Sequence, residues 1–137
     1  MSEQIVVSHE DYLKYQQLQE KNISLSRYMK IKGYEDLPHK EKYENVVRDI
    51  GYDAVKRCIP FSREQIKKAL ENGDEHLNSL PISKWDTASG FRCSGANCTL
   101  IRSELTNLYM NIGINAFSCA QGVCILKEAA RMWAEEP

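Results

Sequence analysis

Apolar residues along this chain recur mostly at intervals of three and four, the period of a helix with one buried face, and punctuation residues cut the pattern into short lengths. Ser8 and Asp11 have the spacing of a helix start, and Tyr12, Tyr15 and Leu18 extend it as a stripe until Asn22, which predicts a first helix over 9–21. A second stripe, Leu25, Tyr28, Met29 and Ile31, leads to Gly33. Pro38 suits the first turn of a third helix carrying Tyr43, Val46, Val47 and Ile50, and Gly51 closes it. Tyr52, Val55 and Ile59 mark a short piece before Pro60. Ser62 and Gln65 then stand at capping-box spacing ahead of Ile66, Ala69 and Leu70, and Asn72-Gly73 ends that helix.

From Asp74 to Gly95 the punctuation changes: Pro81, Gly90, Gly95 and several serines surround Trp85, and an ordered connecting loop is expected. Leu100, Ile101, Leu105, Leu108, Tyr109 and Ile112 resume helical spacing up to Gly113. A final helix is expected over 123–135, burying Leu126, Ala129, Ala130 and Trp133 while Lys127, Glu128, Arg131 and Glu135 stay in water. No stretch alternates as a strand would. The expected fold is therefore mainly α: an N-terminal helical region over 1–80, then a loop and a cysteine-containing helical lobe over 81–137, together one compact unit.

Composition narrows the classes of function. The 137 residues include 18 basic and 19 acidic ones, a formal net charge of −1, so no general attraction to nucleic acid or an acidic membrane is expected. Apolar runs are far shorter than the roughly 20 residues that cross a bilayer, and Met-Ser-Glu-Gln does not open a signal peptide. These features predict a protein of the cytoplasm, where cysteines serve as thiols or metal ligands more often than as disulfides.

A phrase of the form Phe-x-Cys-x4-Cys-x-Leu occurs twice: as Phe91, Cys93, Cys98 and Leu100, and again 26 residues later as Phe117, Cys119, Cys124 and Leu126. Two thiol pairs in matching surroundings are what a structural zinc site of four thiolates needs, and Gly95 and Gly122 could supply the turns. Cys93, Cys98, Cys119 and Cys124 are thus the expected ligands of a structural Zn²⁺. The spacer is longer than usual, and alternatives stay open: buried thiols, a redox or disulfide state, or a helix capped by Ser118. In the last case Cys119 and Cys124 would diverge by about 140° and could not easily share an ion. Cys58, among apolar neighbours, reads as core filler.

No phosphate loop, nucleophile elbow or metalloprotease motif is present, so no enzymatic activity is expected. His9, His39 and His76 lie far apart beside charged residues and read as solvated. The run Asp74-Glu75-His76 reads as a polar helix start. Lys56, Arg57, Arg63, Lys67 and Lys68 could form a basic face for nucleic acid, although a solvated helix surface explains them as well. The last two helices match a helix-turn-helix reader poorly, because the linker Gly113 to Cys119 is long. Trp85, beside Lys84, is either packed beneath the loop or an anchor for a partner; Trp85 and Lys84 are the residues expected to touch one.

The phrase Ile114-Asn115-Ala116-Phe117-Ser118, continued by Val123-Cys124-Ile125-Leu126-Lys127-Glu128-Ala129-Ala130-Arg131, resembles small uncharacterised accessory proteins of phages and prophages. The resemblance covers the last third of the chain and carries no catalytic residues. It implies a non-enzymatic protein-binding module that inhibits or modulates a host nucleic-acid machine, in the manner of anti-CRISPR inhibitors acting on a CRISPR nuclease. A small nucleic-acid-binding or transcription-regulatory protein is the alternative expectation.

Overall fold

Residues 23–94 and 97–137 are described by the computed structural model, so the helix expected over 9–21, and His9 with it, lie outside the described residues. The described chain opens with β1 (Ile23–Ser24), α1 (Leu25–Lys32), α2 (His39–Ile50), α3 (Tyr52–Lys56) and α4 (Arg63–Glu71). It continues with α5 (Ile82–Ser89), β2 (Phe91–Ser94), β3 (Asn97–Leu100), α6 (Glu104–Asn111), β4 (Ile114–Ala116) and α7 (Cys119–Ala134).

The helix starts follow local hydrogen-bonding chemistry. The Ser24 hydroxyl accepts from the Arg27 N–H at 3.0 Å, and Ser62 with Gln65 forms the reciprocal capping box read from their spacing. Gly33 ends α1 at φ 83, a left-handed conformation that a side chain would oppose.

The segment expected to be a loop around Trp85 is instead helix α5. Pro81 stands just ahead of its first turn and Gly90 just past its last, at φ 104. Proline at the start and glycine beyond the end are boundary signals of a helix as well as breakers, and here they bracket eight helical residues. Two strand pairs also appear that the periodicity did not predict. β2 and β3 form an antiparallel hairpin with Phe91 opposite Leu100, and β1 pairs parallel with β4. Their sequence signal is faint for a physical reason: the strands are two to four residues long, Ile23, Phe91 and Ile114 are isolated buried positions in three of them, and every residue of β3 is exposed, so no repeated buried position imposes alternation. Leu100 belongs to this hairpin, and α6 starts only after the Ser103 cap.

The core gathers around α7, which packs against α2, α3, α4 and α5. It buries Val123, Ile125, Leu126, Ala129 and Ala130, a face wider than a single stripe, while Trp133 is half-buried. Trp85 and Tyr109 are the largest fully enclosed side chains, with Trp85 against Phe61 at 4.9 Å between ring centroids and Tyr109 against Phe117 at 4.2 Å. Burying one such side chain contributes about 1.5–3 kcal/mol. Glu128, expected in water, is 3% exposed, with Oε1 accepting from Arg131 at 2.9 Å. Burial pushes its carboxyl above the usual range. Among the described residues no helix is long and apolar enough to cross a membrane.

Candidate metal centre

In the hairpin, Cys93 and Cys98 are directly opposed across the two strands and joined as a disulfide. The third sulfur comes from α7. Ser118 accepts from the Gln121 N–H at 3.1 Å and the Gln121 side chain accepts from the Ser118 N–H at 2.9 Å, so the helix starts at Cys119. One turn further on, a Cβ on Gly122 would lie 2.8 Å from the Ser89 Cβ, closer than carbon atoms pack. The missing side chain lets the start of α7 rest on the end of α5, and this approach carries Cys119 to the hairpin.

The result is a cluster of three sulfurs, those of Cys93, Cys98 and Cys119, all within 4.8 Å of one another. Cys93 Sγ and Cys119 Sγ are 3.5 Å apart. Thiolates about 2.3 Å from a tetrahedral zinc ion are about 3.8 Å from each other, so the cluster has the dimensions of a metal site. It could hold a metal ion once the Cys93–Cys98 pair is reduced, because a disulfide offers no thiolates. The disulfide and the metal-bound state are alternatives.

On the α5 side the cluster meets a carboxylate. Cys119 Sγ donates to Asp86 Oδ1 at 3.2 Å. Burial, then the hydrogen bond to Asp86 and its charge, push this thiol up to about 11, overriding the help a helix N-terminus gives a thiolate. A cation between thiol and carboxylate would take the place of that shared proton.

Cys124 stands apart from the cluster, which corrects the four-cysteine site expected from the repeat. Five residues along α7 from Cys119, it faces another way and meets His39 Nε2 at 3.4 Å. The Ser118-capped helix, the competing interpretation of the repeat, is the one the chain adopts. Trp85 is likewise no surface anchor: it has no exposed surface and belongs to the core. Lys84 beside it is exposed, its ammonium 5.9 Å from the Phe61 ring centroid.

Cys58 is half-buried, its Sγ donating to Ala54 O at 3.5 Å, and burial pushes its thiol up to about 11. The basic face is partly consumed within the fold: Lys56 lies 3.7 Å from Glu136, and Arg63 donates to the carbonyls of Trp133 and Glu136. Asp74, Glu75 and His76 lie in a turn, where Asp74 accepts from the Asn78 and Ser79 N–H groups at 2.9 and 2.7 Å. Asp86 and the His39–Cys124 contact escaped the sequence reading. Asp86 lies in the segment whose punctuation predicts a loop, and His39 is 85 residues from its partner. No family model matches the chain, and neither a curated protein nor a solved structure matches it.

Proposed function

We propose that the protein is a non-enzymatic protein-binding module whose contact surface is ordered by a structural zinc ion on Cys93, Cys98 and Cys119. The three-sulfur cluster carries this reading, since it ties an exposed hairpin to the first residue of the central helix. Asp86, whose Oδ1 lies 3.2 Å from Cys119 Sγ, or a water molecule would complete the tetrahedron. Thiolates and a carboxylate suit zinc better than the hard cations, which prefer oxygen alone. An ordered surface binds with less entropic cost than a mobile hairpin would.

Beside the clamp lie exposed apolar side chains, Leu100 at 54% and Met110 at 47%, rimming a shallow hollow of about 250 Å³ that Phe117 and Arg102 also line. An apolar side chain of a partner, flanked by an acidic one for Arg102, fits this hollow. The partner class rests on the resemblance of the C-terminal phrase to phage accessory proteins: a host protein of a nucleic-acid machine, such as a CRISPR nuclease. The nucleic-acid-binding alternative is supported less, because Lys56 and Arg63 are already engaged by the C-terminal residues.

The test is capture from bacterial lysate by zinc-loaded protein, with Leu100→Asp and Met110→Asp as paired variants. The expected result is one host protein retained in stoichiometric amount by the unaltered chain and lost by both variants. Retention of nucleic acid that salt abolishes, with both variants behaving like the unaltered chain, would contradict the proposal.

A further inference from the structure

Among the described residues Cys58, Cys119 and Cys124 are free thiols, and they differ in where their protons can go. Cys58 donates to a backbone carbonyl and Cys119 to a carboxylate, and both hold their protons up to about 11. Cys124 Sγ lies 3.4 Å from His39 Nε2 instead. His39 is exposed at the first position of α2, its ring tilted on Tyr43 at 4.8 Å between centroids, and an imidazole can take up a proton at neutral pH. Burial raises the Cys124 thiol too, so the sulfur keeps its proton at rest and gives it up as it reacts.

This pair opens on a cavity of about 470 Å³, separate from the sulfur cluster and lined also by Lys40, His76, Lys127 and Glu128. Glu128 points to a ligand independently of the thiol. Its residue is 3% exposed, and its Oε2 has no hydrogen-bond partner in the protein. Such an atom accepts readily from an ammonium or amide N–H. Lys40 and Lys127 line the cavity as well, the Lys127 ammonium donating to Asn78 Oδ1 at 3.1 Å, and such groups suit carboxylates.

We propose that Cys124 is a metal-independent thiol site that forms a mixed disulfide with a small disulfide bearing amino and carboxylate groups, with His39 as the base. The Cys124 proton passes to His39 Nε2 while Sγ bonds to one sulfur of the ligand. The ligand's own S–S bond breaks, its electron pair staying on the departing sulfur, which takes the proton from His39. Cys124 is oxidised and the departing half is reduced. Glu128 Oε2 receives the ligand's amino group, and Lys40 and Lys127 its carboxylates.

The test uses the full chain with the Cys93–Cys98 disulfide formed, treated at neutral pH with glutathione disulfide or with the uncharged hydroxyethyl disulfide and mapped by mass spectrometry. Cys124 should be modified ahead of Cys58 and Cys119, and glutathione disulfide should react faster than the uncharged reagent. His39→Gln should slow the Cys124 adduct about a hundredfold or more, the lower range of a lost general base. Because His39 is exposed, this variant keeps the core, which a matching thermal melt confirms. The double variant Lys40→Gln, Lys127→Gln should abolish the preference for glutathione disulfide. First modification at Cys58 or Cys119, or an unchanged rate in His39→Gln, would overturn the site; an unchanged preference in the lysine variant would overturn the ligand class.

Discussion

Around α7 the chain is held together by buried apolar surface, whereas the β2–β3 hairpin is mostly exposed and is cross-linked strand to strand by a disulfide. Trp85, Tyr109, Leu126 and Ile125 have no exposed surface, while all four residues of β3 are exposed and Leu100 keeps 54% of its surface in water. An isolated two-stranded hairpin is marginal in water. Here Phe91 gives it an apolar foothold, edge-on to Phe117 at 5.4 Å, the Cys93–Cys98 disulfide joins its strands, and the Ile101 N–H donates to Gly90 O at 2.6 Å at its base. One short chain thus uses two means of order: area where helices meet, and a disulfide within the hairpin where they do not.

Substitutions should separate the two regions. Trp85→Ala empties the largest enclosed position and should cost about 3–5 kcal/mol in a denaturant melt. A loss under about 1 kcal/mol would show that the tryptophan lies outside the core. Gly122→Ala should cost about 1–3 kcal/mol, since the added methyl meets Ser89 where α7 rests on α5. The same change should weaken metal uptake, because it pushes Cys119 away from the hairpin; metal titration alongside the melt would show whether the two effects travel together. Ser118→Ala removes one cap hydrogen bond and should cost about 1 kcal/mol in the same melt. Leu100→Ser should change stability by no more than about 0.5 kcal/mol, as expected for an exposed side chain, and a clearly larger loss would mean that the hairpin contributes to the core after all.

What could be read from the sequence divides along the same line. The stripes Leu25-Tyr28-Met29 and Tyr43-Val46-Val47, and the capping box at Ser62, lie in helices close to the expected bounds, because period and cap are local signals. Helix α5 was hidden because Pro81 and Gly90 serve equally as boundaries and as breakers. The hairpin was hidden because Phe91 alone marks its inner face and β3 is exposed throughout, too little to set an alternating pattern. For the site, Cys93, Cys98 and Cys119 were legible from the repeated phrase, but Cys124 was misplaced by it. Two similar phrases adopt different structures here: Cys93 and Cys98 oppose each other across a hairpin, while Cys119 and Cys124 diverge around a helix. Asp86 depended on a tertiary approach, that of Gly122 to Ser89, which no local pattern announces.

The most direct test of the three-sulfur centre is zinc stoichiometry after reduction, metal loading and removal of loosely bound ions. The unaltered protein and Cys124→Ser should each retain one zinc per chain, while Cys119→Ser should lose it and leave the hairpin amides open to hydrogen exchange. Loss of zinc in Cys124→Ser with retention in Cys119→Ser, or no zinc in fully reduced and folded protein, would contradict the account.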